Sequence, residues 1–208
     1  MEEPVRRAYV VDDDKEIRIA LNLELRAAGI ECRPFASAGD FLAEVEHLHP
    51  GCILLDVRMP QTSGVELLAE LALREIRWPA IMLTGHAEVM TAVEAMKRGA
   101  IEFLEKPFSE VALMGALDSG FEKLSAALRR SGARRSAMDA VARLSPRESE
   151  MLGFVAEGLS SREIAASLQL SQRTVEMHRG NMMRKLGVSS MLDAVRIAEA
   201  AGLGQSEE

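Results

Sequence analysis

The 208-residue chain predicts two folded parts in series, an α/β part on a doubly wound parallel sheet of five strands and an all-helical part after it. Three observations carry this prediction. Over the first 124 residues, five short apolar runs alternate with stretches of helical period. The runs are nearly continuous in apolar residues, as strands buried on both faces must be. From residue 125 the strand pattern stops and the charge balance turns over, from 13 Lys+Arg against 22 Asp+Glu to 12 against 10.

The first strand, AYVVD, ends at Asp12. ECRPF is a weaker second strand, CILLD ends at Asp56, AIMLT at Thr84 and EFLEK at Lys106. Helical periods fill 15–28, 38–47, 64–75, 87–98 and 109 to about 124 between and after them. Right-handed crossovers place those helices on both faces of the sheet. The stretch 125–143, with five Arg and one Gly, reads as a helical extension and linker. The helical part covers 144–208. Ser145-Pro146-Arg147-Glu148 is a capping box with Pro at the first helical position, Ser160 to Glu163 repeats the S-x-x-E pattern, and Ser171 and Ser190 precede two more helices. Gly158 and Gly187 stand where helices should stop.

Composition narrows the function. No uncharged run approaches the about 20 residues that span a membrane, and the start lacks an apolar export core, so the expected compartment is the cytoplasm. Cys32 and Cys52 make no metal or disulfide pattern and read as buried thiols. The four His show no zinc-ligand spacing. A net charge of −7 argues against a general nucleic-acid coat, and its asymmetry predicts different partners for the two parts.

In parallel α/β sheets ligands bind beyond the carboxyl ends of the strands. Asp12 and Asp13, Asp56, Thr84 and Lys106 close four different strands and so converge on one edge. Crowded carboxylates repel one another unless a hard cation sits among them, and Mg²⁺ favours one or two carboxylates together with phosphate oxygens. A carboxylate is also a nucleophile toward phosphorus. Asp56, on the central strand, is the natural acceptor, with Asp12 and Asp13 holding metal, Lys106 neutralising phosphoryl charge and Thr84 donating a hydrogen bond.

The motifs VVDDD, LLDVRMPQTSG, LTGH and EKPF resemble the receiver domain of two-component response regulators over roughly residues 8–124. The resemblance implies a flavodoxin-like sheet of order 2-1-3-4-5. It implies a phosphoryl group on Asp56 from a sensor histidine kinase, with Mg²⁺ bound by Asp12, Asp13, Asp56 and the carbonyl of Arg58. It also implies a cis Lys106–Pro107 peptide and a switch role for Phe103.

In the helical part, SSREIAASLQLSQRTVEMHRGNMMRKLGV pairs a short helix with a longer one across a tight turn. On the longer helix Val175, Met182 and Leu186 form an apolar stripe, with His178 close to it as a packing residue. The opposite side carries Arg173, Glu176, Met177, Gly180 and Arg184. The stretch from Leu144 resembles the LuxR-type four-helix DNA-binding domain, and the whole chain resembles the NarL/FixJ subfamily. That implies phosphate contacts from Thr174 and Lys185, base edges facing Glu176, Met177 and Gly180, and promoter DNA and RNA polymerase as partners. It implies homodimerisation on phosphorylation through the segments 89–98 and 101–105.

Two other classes stay open on the residues alone. A phosphatase of the haloacid dehalogenase type also uses an Asp nucleophile, but DDDKEI lacks the Thr of its D-x-D-x-T arrangement. A receiver whose helical part docks a protein is separated from a DNA binder by salt-sensitive DNA affinity.

Overall fold

The computed structural model describes residues 5–85 and 94–203. Its sheet has the expected class and order. The strands β1 (Arg7–Val11), β2 (Glu31–Phe35), β3 (Cys52–Asp56), β4 (Ala80–Thr84) and β5 (Ala100–Glu105) pair in parallel in the order β2-β1-β3-β4-β5. β5 begins two residues earlier than the sequence pattern places it. Every residue of β3 and β4 is buried, which is why their runs carry no alternation.

Helices α1 (Lys15–Ala27), α2 (Ala38–Glu44) and α3 (Gly64–Leu73) follow the first three strands. Each starts on a side-chain cap: Asp14 accepts from the Glu16 and Ile17 N–H groups, Ser37 from Asp40, and Ser63 closes a full capping box with Glu66. Two apolar clusters cover the sheet. One gathers Tyr9, Phe35, Phe41, Leu55, Leu67 and Met82, and the other Val10, Leu25, Leu54, Leu83, Leu113 and Leu117. Cys32 and Cys52 are free and buried in the second, and burial pushes their thiols up to about 11 and about 12. Of the helix read over 87–98, residues 94–97 are helical and 86–93 lie outside the described residues, as does half of the proposed dimerisation segment 89–98.

One element differs from the sequence reading. Helix α4 runs unbroken from Glu110 to Val141, so the stretch read as extension and linker is helix almost to its end. Ala, Leu and Arg are strong helix formers and no Pro interrupts the run, so nothing local ends the helix near residue 124. Chain contacts divide into compact units on either side of Ala127 and Leu128.

The second unit contains α5 (Pro146–Ala156), α6 (Ser161–Ser167), α7 (Gln172–Leu186) and α8 (Met191–Ala201). Ser145 and Ser160 each form a reciprocal capping box, and Ser171 and Ser190 cap α7 and α8. Gly187 and Gly202 take left-handed conformations at the ends of the last two. Met151, Val155, Ile164 and Val175 form one core, and Leu152, Met182, Leu186, Ala194 and Ala198 another. Among the described residues no helix is long and apolar enough to cross a membrane.

Candidate functional site

The carboxyl edge of the sheet assembles from strand ends. Asp56 closes β3 and Thr84 closes β4, while Asp12 and Lys106 each stand one residue beyond β1 and β5. Asp12 and Asp56 are only 1% and 7% exposed, so two carboxylates sit almost out of water side by side. Lys106 joins them: its Nζ lies 2.7 Å from Asp12 Oδ2 and 2.5 Å from Asp56 Oδ1. The Lys106 N–H donates to the Thr84 carbonyl at 2.6 Å, and the Lys106–Pro107 peptide is cis. The remaining oxygens are aimed by the backbone, with Arg58 N–H donating to Asp56 Oδ2 at 2.8 Å and Asp14 N–H to Asp12 Oδ1 at 2.9 Å. Gly64 donates to the Val57 carbonyl at 3.1 Å and brings α3 against the end of β3. A Cβ there would collide with the Asp56 carbonyl oxygen, so the loop closes this tightly only over glycine.

One ammonium shared by two buried carboxylates leaves the edge one negative charge in excess. Burial raises the Asp56 carboxyl above its ordinary value, and Asp12 adds to the rise, against the hydrogen bonds and charge of Lys106 and the Arg58 N–H. Burial also works against the charged Lys106, but its bonds to Asp12 and Asp56 carry it above its ordinary value. The set consists of hard oxygen donors. Among the described residues no three acidic, His or Cys side chains converge on one point. A carboxylate pair supplemented by a backbone carbonyl and water suits Mg²⁺, which keeps several waters and uses one or two carboxylates. The residues therefore fit that ion.

The sequence-predicted residues do not all join this group. Asp13 and Arg58 have exposed side chains beside it. Thr84 is buried at 2% exposure. Phe103 is half-buried and packs against the Tyr9–Phe41 cluster on its own side of the sheet. His86 lies outside the described residues.

In the second unit, α6 and α7 form a helix-turn-helix. Gln169 takes φ 53 in the turn, and Ser171 accepts from the Thr174 N–H at 3.1 Å. The α7 stripe Val175, Met182 and Leu186 is buried, and Arg173, Glu176, Met177, Gly180 and Arg184 are exposed. Met177 is 56% exposed on that face. Thr174 Oγ1 lies 2.8 Å from Ser171 Oγ, Gln172 reaches Glu176 and Arg184 reaches Asn181. His178 is half-buried. Arg179 donates to Ser161 Oγ at 2.6 Å, which ties α7 to the start of α6.

Sequence reasoning missed one pair. Lys185 Nζ lies 2.6 Å from Glu148 Oε2, and Glu148 is 4% exposed. The same oxygen accepts the Ser145 N–H at 2.7 Å. The Lys185 hydrogen bond first, and the Ser145 N–H next, hold the Glu148 carboxyl down at about 2. The capping box announced Glu148, but nothing in the sequence marked a partner 37 residues away.

Comparison with known proteins covers both units. The model of the response regulator receiver domain matches residues 8–118, and that of the bacterial regulatory proteins of the luxR family matches 142–198. The transcriptional regulatory protein FixJ of Bradyrhizobium diazoefficiens is 38% identical over 94% of this chain and 95% of its own. FixJ of Azorhizobium caulinodans is 40% identical over 96% and 95%. The structure of the response regulator StyR superposes with a TM-score of 0.81 at 36% identity, covering 94% of this chain and 99% of that one.

Proposed function

The chain belongs to the response regulators of the FixJ type, proteins that couple a receiver to a LuxR-type DNA-binding domain, and on that premise we propose that Asp56 is its phosphoryl acceptor. The observation that carries this is the strand-end group itself, two buried carboxylates held by one lysine at the carboxyl edge of a parallel sheet. The receiver spans 1–124, the extension 125–143 and the DNA-binding domain 144–208. The Asp56 oxygen forms a bond to phosphorus as the P–N bond of a sensor kinase phosphohistidine breaks, and the electron pair leaves with the imidazole nitrogen. Asp12, Asp13, Asp56 and the Arg58 carbonyl would hold Mg²⁺, which supplies positive charge to the phosphoryl oxygens. Lys106 turns from the lost carboxylate charge to the new phosphoryl oxygens, and Thr84 donates to one of them.

A phosphoryl group adds about −1.5 to −2 charges at this edge. Movement of Thr84 toward it opens space for the half-buried Phe103 ring to turn inward and reshapes the neighbouring face. The protein then pairs with a second copy, and two helical units engage a two-fold operator. On each unit Thr174 and Lys185 meet phosphates, Arg173 and Arg184 flank the groove, and Glu176, Met177 and Gly180 face base edges. Glu148 restrains Lys185, so its phosphate contact competes with an internal ion pair. RNA polymerase is the onward partner and the cytoplasm the compartment. Any chemistry of its own is limited to taking up and slowly hydrolysing the phosphoryl group at Asp56.

The test is sedimentation and operator binding with and without a beryllofluoride complex and Mg²⁺, on the wild type and Asp56→Asn. Dimerisation and DNA affinity that rise only in the wild type support the reading. Equal behaviour of the two proteins overturns it.

A further inference from the structure

Residues 123–138 contain Lys123, Arg129, Arg130, Arg134 and Arg135 and no Asp or Glu. The stretch is helical throughout, inside α4. Every residue from 127 to 136 is exposed. Arg130, Arg134 and Arg135 have neither an ion pair nor a hydrogen bond among the described residues. Three arginines of this exposed helical segment therefore stand uncompensated among the described residues, in a protein whose net charge is −7.

The helical period sorts these arginines. At 3.6 residues per turn, positions 130, 134, 137 and 141 share one stripe. Further along that stripe Ala137 is buried, and Val141 packs on the cluster that contains Met182 and Leu186 of α7. Arg130 and Arg134 thus project from the side of α4 that its last turns apply to the helical unit. Arg135 points about 100° or more away round the helix. Along the axis, Arg134 and Arg130 stand about 10 and 17 Å before Val141. Both arginines belong to the same compact unit as α7 and stand exposed beyond its core.

We infer that Arg130 and Arg134 form an auxiliary phosphate-contacting arm, which grips the DNA backbone beside the site engaged by α7. The inference rests on the DNA-binding reading and deepens it. The unit needs such an arm, because residues 125–208 have a net charge of only +2 and Lys185 is already paired with Glu148. Phosphate contacts position a protein and supply most of its sequence-independent affinity. The acidic first part of the chain is the rival partner for the same arginines, and the experiment separates the two.

The experiment measures affinity of the full chain, loaded with beryllofluoride and Mg²⁺, for random-sequence duplex DNA across a salt series. The variants are Arg130→Gln, Arg134→Gln and Arg135→Gln, with Arg173→Gln on α7 as the comparison. Arg130→Gln and Arg134→Gln should each lower the slope of log affinity against log salt by roughly 0.9, the value for one lost phosphate contact. Arg135→Gln should move it far less. Unchanged slopes for Arg130→Gln and Arg134→Gln beside a lowered slope for Arg173→Gln overturn the arm and leave the α7 reading standing. Equal slope losses for all three α4 variants overturn the geometric assignment. Lost affinity with an unchanged slope and altered sedimentation assigns the arginines to the acidic part of the protein and also overturns it. A wild type with no salt-sensitive DNA binding overturns the DNA reading and the arm together.

Discussion

Two buried carboxylates in this chain each hold a lysine, and their ionisation moves in opposite directions. Asp56 rises above the ordinary carboxylate range because burial outweighs its partners. Glu148 falls to about 2 because its lysine and the capping N–H groups outweigh burial. Each has a lysine and a backbone N–H, from Lys106 and Arg58 on Asp56 and from Lys185 and Ser145 on Glu148, but burial is the largest influence on Asp56, whose lysine is shared with Asp12, while Lys185 is the largest on Glu148. A buried carboxylate with its own cation is a staple. One that shares a cation is poised to accept a further cation or to lose its charge by reaction.

The sharpest way to break this comparison is functional. Asp56→Asn should abolish phosphoryl uptake from acetyl phosphate with Mg²⁺, read as the mass shift of the intact chain, and Glu148→Gln should leave uptake unchanged. A mass shift persisting in Asp56→Asn would move the acceptor elsewhere.

The next effect is on stability of the helical unit. Stranding a buried charge costs about 3–5 kcal/mol, which the half-exposed position of Lys185 reduces to about 2 kcal/mol for Lys185→Met. Hydrogen exchange at the α5 and α7 amides measures it. A loss under about 0.5 kcal/mol, the size of an ordinary surface change, would show that solvent serves Glu148 as well as the lysine does.

The pH dependence sharpens the same contrast. The folded value of Glu148 lies below its ordinary 4.5, so its stabilisation is fully present above that value. It is lost as pH falls toward about 2. The gap in stability between wild type and Lys185→Met should narrow across that window. A constant gap would mean that the pair is not what depresses Glu148.

The smallest expected effect has the opposite sign. Because burial raises Asp56, its ionised form is less favourable folded than unfolded, and at neutral pH Asp56→Asn should slightly stabilise the first unit. Lys106 keeps Asp12 as its partner in that variant. Denaturant unfolding followed by Trp78, which stacks on Tyr9 in the sheet core, reports on this unit. Destabilisation instead would show that the bonds from Lys106 and Arg58 outweigh burial.

Much of this was readable from local pattern. Asp12, Asp56, Thr84 and Lys106 were legible because strand ends in a parallel sheet share one edge, so four local patterns fix one place. The α7 stripe of Val175, Met182 and Leu186 was legible from its period, and the Ser145 and Ser160 boxes from their spacing. Other features had no local signal. Arg179 reaches Ser161 and Lys185 reaches Glu148 across turns whose geometry the residues between do not encode. Asp13 looks like its neighbour Asp12 in sequence, yet one is exposed and the other buried, because β1 ends between the sheet and open solvent.

The sequence by itself determined the class of both units, the parallel sheet and the caps that start its helices, since each follows from hydrophobic period and a few side-chain bonds within four residues. Tertiary structure alone decided which charges are buried together and how many share a cation. Burial and pairing depend on elements far apart in the chain, and the sign of a carboxylate's shift is the small difference between desolvation and the donors those elements bring.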